Sequence, residues 1–372
     1  MQSASAKSKL ISDAPWWKSD ISLGFLEKRP KLKDLAVMSR QMAAMIGAGL
    51  PILKSIRVLS EQTENKILSS ALEAVKGDVE GGESLSDALA KHPQIFPSLM
   101  LGLVRAGETG GFLDESLETI SNTLEKEADL RATVKSALTY PVAVLLMAFL
   151  AVIAMLIWVV PVFDQMFKNL GGQLPLPTQI LVWLSPVVLW TSPVFAIALT
   201  AFSAWWRKNR QRDSLRRFKD TLIARLPVIG PLTKKIVVAR FTRNLASMLN
   251  GGVPIMQALA IMSTTAQNWA MDQSLVSIQN AVKAGSTLSA PMAVDKIFPP
   301  MVTQMITIGE DSGTLGAMLG KVADFYDSEV KATTEQLTAL IEPLMIAFIG
   351  VVIGGMIVAL YLPIFTIFNE IR

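Results

Sequence analysis

The pentapeptide Gly107-Glu108-Thr109-Gly110-Gly111 returns 202 residues later as Gly309-Glu310-Asp311-Ser312-Gly313, and each copy leads into a helical run that enters a long apolar segment. A chain that repeats itself over such a distance is built as two copies of one plan, so the repeat is read before single elements. At the same offset Phe96 matches Phe298, Pro97 Pro299, Leu113 Leu315, Leu117 Leu319, Glu127 Glu329, Pro141 Pro343, Pro161 Pro363 and Phe163 Phe365. Upstream the offset is 203: Arg40 matches Arg243, Met45 Met248, Gly49 Gly252, Pro51 Pro254, Gly82 Gly285 and Leu85 Leu288. One residue is therefore missing from the second copy between Leu288 and Phe298. Many of the matches are Gly or Pro, the residues that fix turns and element starts.

Charge is distributed unevenly. Only 18% of the residues are charged, against about 25% in a typical soluble domain. The deficit comes from three runs, 136–163, 169–206 and 343–369, that contain no Asp, Glu, Lys or Arg. A membrane helix needs about 20 apolar residues, so each run is long enough to span, and spans are expected at 138–163, 178–206 and 343–368. Pro175 and Pro177 fall in the loop before the middle span. Pro186 and Pro193 fall inside it, where they free backbone groups. The net charge is +4, and a basic cluster follows the middle span directly: Arg207, Lys208, Arg210, Arg212, Arg216, Arg217 and Lys219. Such a run can bind nucleic acid. Its position beside a membrane helix instead marks a cytoplasmic anchor obeying the positive-inside rule, in contact with anionic lipid. No nucleic-acid partner is expected.

In chain order, residues 1–31 form a polar arm with Trp16 and Trp17 and no apolar signal-peptide core, so the start is expected in the cytoplasm. Over 32–137 the pattern is helical. Leu35, Met38, Met42, Met45 and Ile46 follow the spacing of an amphipathic helix. Gly49 ends that helix and Pro51 opens the next. Further helices are expected over about 64–78, after the cap Ser84 with Asp87, from Pro97 to Ala106, and from Leu113 through Leu117, Ile120, Leu124 and Leu130 into the first span. The Gly107–Gly111 turn would precede that last helix. The second copy, 207–342, repeats the plan: Phe241, Leu245, Met248 and Leu249 on its first helix, the turn Gly252-Val253-Pro254, and a final helix from Leu315 into the third span. The fold class is all-α, a polytopic membrane protein with two homologous six-helix cytoplasmic bundles and three transmembrane helices. Both copies can lie in the cytoplasm only if an unpaired helix crosses back between them, as the middle span does. That leaves a periplasmic loop at 164–177 and an external tail at 369–372.

Catalytic chemistry has little to work with. The single His92 lies beside Pro93 in a turn, no thiol exists, and no G-x-x-x-x-G-K-[ST] phosphate loop is present. No Glu-x-x-His pair offers a metal site, and the spans lack the internal carboxylates of proton-coupled transporters. No cofactor, metal or catalytic residue is assigned. Glu108 and Glu310, with Gly107, Thr109, Gly110, Gly111, Gly309, Asp311 and Gly313, form either a corner for a partner or a structural turn in which the carboxylate favours a helix N-terminus.

The repeated turns Gly107-Glu108-Thr109-Gly110-Gly111 and Gly309-Glu310-Asp311-Ser312-Gly313, the paired turns Gly49-Leu50-Pro51 and Gly252-Val253-Pro254, and the span entries Tyr140-Pro141 and Glu342-Pro343 resemble those of the inner-membrane platform proteins of type IV pilus and type II secretion machines. The resemblance covers about residues 32–370. It implies a non-enzymatic protein of the bacterial inner membrane, with its N-terminus cytoplasmic and its C-terminus periplasmic. It further implies coupling of a hexameric ATPase to assembly of pilins or pseudopilins, contacts with other inner-membrane assembly proteins, and a homo-oligomer, with the dimer favoured. The alternative is the permease subunit of a transporter whose ATPase is a separate chain; a membrane enzyme is a third reading. Neighbouring genes for a hexameric secretion ATPase and pilin-like proteins would separate these readings.

Overall fold

The computed structural model describes residues 29–169, 175–209, 212–227, 229–265 and 268–370. Trp16 and Trp17, the centre of the expected loop at 170–174, Arg210 and the last two residues lie outside the described residues. All regular structure among the described residues is helical.

The first copy comprises α1 (Leu32–Gly47), α2 (Ile52–Gln62), α3 (Lys66–Glu80), α4 (Leu85–Ala90), α5 (Ser98–Gly110) and α6 (Leu113–Ala154). After α6 come a π-turn at Met155–Val159, α7 (Val160–Asn169), α8 (Leu176–Asn209) and α9 (Asp213–Arg225). The second copy comprises α10 (Ile229–Asn250), α11 (Ile255–Thr265), α12 (Trp269–Lys283), α13 (Ser289–Val294), α14 (Pro300–Asp311) and α15 (Leu315–Glu370).

The duplication holds at the level of single contacts. Asn65 caps α3 by accepting from Leu68 N, and Asn268 caps α12 by accepting from Met271 N, both at 3.1 Å. Arg40 on α1 donates to Asn122 at 2.9 Å and to Glu125 at 2.7 Å on α6. Its equivalent Arg243 on α10 reaches Asp324 at 3.3 Å and also Asp327 on α15. Each copy thus pins its first helix to its long last helix with one guanidinium. Ser84 caps α4 as expected, accepting from Asp87 N at 3.1 Å.

The two expected bundles meet in a single core. Ile56, Leu72, Phe96, Leu103 and Leu117 from the first copy join Phe241, Leu245, Leu275, Val302 and Leu319 from the second in one buried cluster. The second copy also carries an extra helix. α9 lies against α12, where Arg216 pairs with Asp272 at 2.6 Å, Asp220 accepts from Trp269 N at 2.8 Å, and Arg217 stacks 4.9 Å from the Trp269 ring. Part of the basic cluster therefore docks a helix rather than facing lipid.

Two continuous helical stretches, Leu113–Met166 and Leu315–Leu362, are long and apolar enough to cross a membrane. Leu146, Met147, Phe149, Leu344, Ile346 and Phe348 on them are exposed. α6 runs unbroken through Pro141. α8 is a 34-residue helix that keeps Pro186 and Pro193 inside it. Its first half packs against the ends of the two long stretches, where Leu181, Val182, Leu184 and Val188 surround Leu156, Val160 and Leu360. The start of α8 lies beside the ends of the other two, so α8 runs antiparallel to both.

Two prolines explain how α8 is held there. In the π-turn Val160 N donates to Met155 O; the next donor in that register is Pro161, which has no N–H, so Leu156 O is left over. In α15 the donor to Ala359 O would be Pro363, again without an N–H. Ser185 donates to Leu156 O at 2.5 Å and Thr178 donates to Ala359 O. Both hydroxyls are buried on one face of α8. An unpaired carbonyl in an apolar medium is costly, so the repeated proline creates two vacancies that the unrepeated helix fills.

Candidate functional site

The repeated pentapeptide is not a free turn. Gly107 to Gly110 are the last turn of α5, which extends past Ala106, and only Gly111 and Gly313, at φ 77° and 68°, make the left-handed turn. Glu108 therefore does not cap the helix that follows. Its carboxylate reaches back to the N-terminus of α4, accepting from Leu85 N at 2.7 Å and Ser86 N at 3.1 Å. Glu310 does the same for the second copy, accepting from Leu288 N at 2.5 Å and Ser289 N at 2.9 Å. An anion at a helix N-terminus satisfies orphan donors and complements the helix dipole. Each oxygen accepts one backbone N–H, so the carboxylates tie α5 to α4 and α14 to α13. From the sequence these carboxylates are expected at the start of the long helix that follows; the bonds run instead to the short helices α4 and α13.

The glycines explain the spacing. A Cβ on Gly107 would lie 3.0 Å from Leu113 Cα, and one on Gly309 2.9 Å from Leu315 Cα, so the two helices of each corner touch backbone to backbone. Thr109 Oγ1 bonds the Arg105 carbonyl at 2.7 Å within its own helix. Asp311 is exposed at the end of α14. Gly49 and Gly252 adopt positive φ, and Pro51 and Pro254 immediately precede α2 and α11. Arg207 and Lys208 lie in the last turn of α8, and Arg212 immediately precedes α9.

Sequence reasoning did not anticipate the junction between the copies. A Cβ on Gly102 would lie 2.6 Å from Ile261 Cδ1, and one on Gly251 would lie 2.5 Å from Leu103 Cδ2. Thr123 and Ser247 share a hydrogen bond of 2.7 Å, and Lys126 pairs with Asp324 at 2.9 Å. Burial pushes the Asp324 carboxyl up, but Lys126 and Arg243 outweigh it and hold the group below the usual carboxylate range. At Asp327 burial prevails over Arg243 and the carboxyl is raised. The Arg40–Glu125 and Arg243–Asp327 pairs were findable, because all four positions obey the two repeat offsets.

A cavity of about 700 Å³ opens where α6 leaves the core, lined by Leu130, Val134, Leu138, Val142, Leu146 and Ile236, with Arg131, Lys135 and Arg240 also at its wall. Its wall is mainly apolar, with three cationic side chains beside it. Among the described residues no cluster of three or more His, Asp or Glu is placed to hold a metal ion. The arrangement is two equivalent polar bodies fused in one core, each rising on a single helix into an apolar segment.

The model of the family described as type II secretion system (T2SS), protein F matches this chain twice, over residues 38–161 and 241–363. Those bounds reproduce the two offsets of the repeat. A type IV pilus assembly protein PilC of Thermus thermophilus is 42% identical over 95% of this chain and 87% of its own length. The PilC of Myxococcus xanthus is 40% identical over 91% of this chain and 82% of its own length. A type II secretion system protein F of Pseudomonas aeruginosa is 33% identical over 90% of this chain and 83% of its own length. With the family's domain present in duplicate and relatives of this identity along nearly its whole length, the chain belongs to the type II secretion system protein F family.

Proposed function

We propose that this chain is a platform protein of the bacterial inner membrane in a type IV pilus or type II secretion machine, without enzymatic activity of its own. It couples a hexameric cytoplasmic ATPase to insertion of pilins or pseudopilins, beside other inner-membrane assembly proteins. It crosses the membrane three times, at 138–163, 178–206 and 343–368, with both copies of the repeat and the N-terminus in the cytoplasm. Arg207, Lys208, Arg210 and Arg212 hold the end of α8 on that side, and the protein works as a homo-oligomer.

One observation carries this reading. Each copy of the family domain ends in one helix that continues from the polar core into an apolar segment, α6 through Pro141 and α15 through Pro343. Displacement of the polar body is thereby delivered to the apolar end without an intervening hinge. The hydrogen bonds from Thr178 and Ser185 support a third crossing, because they tie α8 to both other apolar ends.

Deletion of the gene in its host tests the proposal. Surface filaments, or secretion of a filament-dependent cargo, should be lost while the ATPase and the pilins still accumulate. The purified chain should bind the co-encoded hexameric ATPase and hydrolyse no ATP by itself. Filament assembly or secretion that continues without the chain, or turnover that survives removal of contaminating ATPases, would overturn it.

A further inference from the structure

The junction between the two copies is not reciprocal. The first copy offers α5 and α6, and the second copy covers them with α10 and α11, while α6 also runs along its own equivalent α15. A two-fold relation would also lay α14 and α15 against α1 and α2, and no comparable packing exists there. One junction surface of each kind is therefore left open: the α14–α15 face of the second copy and the α1–α2 face of the first.

At four positions the open faces are more apolar than their equivalents in the first copy's α5–α6 and the second copy's α10. Thr123 is 3% exposed in the junction, and its equivalent at the open face is Phe325, 46% exposed. Ala106 becomes Ile308, 54% exposed. On the other side, Ser247, whose hydroxyl meets Thr123, becomes Ala44, which is exposed, and Arg240 becomes Val37, 44% exposed. A hydroxyl pair is thus replaced by an aromatic ring on one face and a methyl group on the other. A large apolar side chain opposite a small one is complementary in shape, and exposed apolar patches on otherwise polar helices mark interaction sites.

We infer that these two faces are one interface in trans: Phe325 and Ile308 on α14–α15 of one protomer cover Ala44 and Val37 on α1 of the next, so that protomers associate head to tail with the geometry of the internal junction. Such a contact is heterologous, and it closes into a ring when its rotation permits. Subunits that share a membrane orientation close such a ring around the membrane normal. Two protomers already place four copies of the domain around that axis. The inference rests on the platform reading only in that both copies stand on one side of the membrane.

The chain has no Cys, so introduced thiols report contacts cleanly. Thr123→Cys with Ser247→Cys is the control and should close a disulfide within one chain, since the native hydroxyls are 2.7 Å apart and a disulfide needs Cβ atoms about 3.5–4.5 Å apart. Ala44→Cys and Phe325→Cys occupy the equivalent positions of the open faces. In oxidised membranes each variant alone should give no adduct. Co-expressed with different tags, they should give a dimer carrying one tag of each kind. Homodimers from either single variant, or no mixed adduct while the control disulfide forms, would overturn the inference; the second result would also be seen if another protein occupied these faces. As an independent measurement, Phe325→Asp in the Thr123→Cys, Ser247→Cys background should still form the internal disulfide while the detergent-solubilised oligomer shifts to monomer. An unchanged oligomer with the internal disulfide formed would overturn the inference. Both readouts are contacts, not filaments, so a failed interface and a failed platform reading give different results.

Discussion

Glu108 and Glu310 show what a residue can and cannot reveal before its neighbours are known. The repeat marked both, and the affinity of a carboxylate for a helix N-terminus was the right chemistry. The helix could not be named from sequence, because the capped residues Leu85 and Ser86 lie on the far side of the loop that precedes α5. Two charge-assisted bonds to orphan backbone donors are worth about 1.5–3 kcal/mol each when one partner is ionised. Glu108→Gln keeps the shape, supplies one acceptor oxygen, and turns an N–H₂ toward the second donor. Unfolding of the detergent-solubilised protein should therefore fall by about 1–3 kcal/mol for Glu108→Gln, with a similar further loss when Glu310→Gln is added. A chain that accumulates and unfolds like the parent, yet assembles no filament, would show that the carboxylates meet a partner instead. Thr123 and Ser247 lay beyond sequence reading for a related reason: a lone hydroxyl in a helix carries no pattern until the opposing helix is placed.

Elements were read more reliably than residues. Helices α1 to α5 follow from 3–4 spacing closed by Gly, Pro and Asn, all of them local signals. α5 is one turn longer than its glycines suggest, because Gly107 packs against the start of α6 instead of breaking the helix. The extra helix α9 was hidden in a basic cluster whose membrane reading was sufficient by itself. The third apolar helix was legible as a run without charge, but its anchoring was not. Ser185 and Thr178 matter only because Pro161 and Pro363 leave carbonyls unpaired elsewhere in the chain. Interhelical hydrogen bonds in membranes average about 0.6 kcal/mol and reach about 1.7. Here the carbonyl has no donor in its own helix, so Ser185→Ala and Thr178→Ala should each fall toward the upper end. An SDS titration measures this. Thr191→Ala is the control, since its hydroxyl bonds Val187 O within α8, a carbonyl already served by a backbone N–H. Equal shifts for Ser185→Ala and Thr191→Ala would remove α8 from its role as the brace.

At the scale of the whole molecule, the proposed topology rests on parity. The two copies share one buried core, so both polar bodies lie on one side of any membrane the chain crosses. α6 and α15 are equivalent helices leaving equivalent bodies, so in the proposed topology they traverse in the same sense. A chain that leaves twice in one sense has to return once in between. Between α6 and α15 the sequence holds a single further uncharged run of spanning length, 169–206. The antiparallel packing of α8 against the ends of the other two agrees with that return. In the proposed topology the cytoplasmic side is the one that carries Arg207, Lys208, Arg210 and Arg212, because basic loops are retained inside. A reporter active only in the periplasm should therefore be active when fused after Gly171 and silent after Asn209 or Gly285. Replacing the four basic residues by Gln should weaken the bias at Asn209. Activity at Asn209 in the parent chain would mean that α8 does not return. The shared core and the two equivalent exits would then be incompatible, and the three-span topology would fall with them.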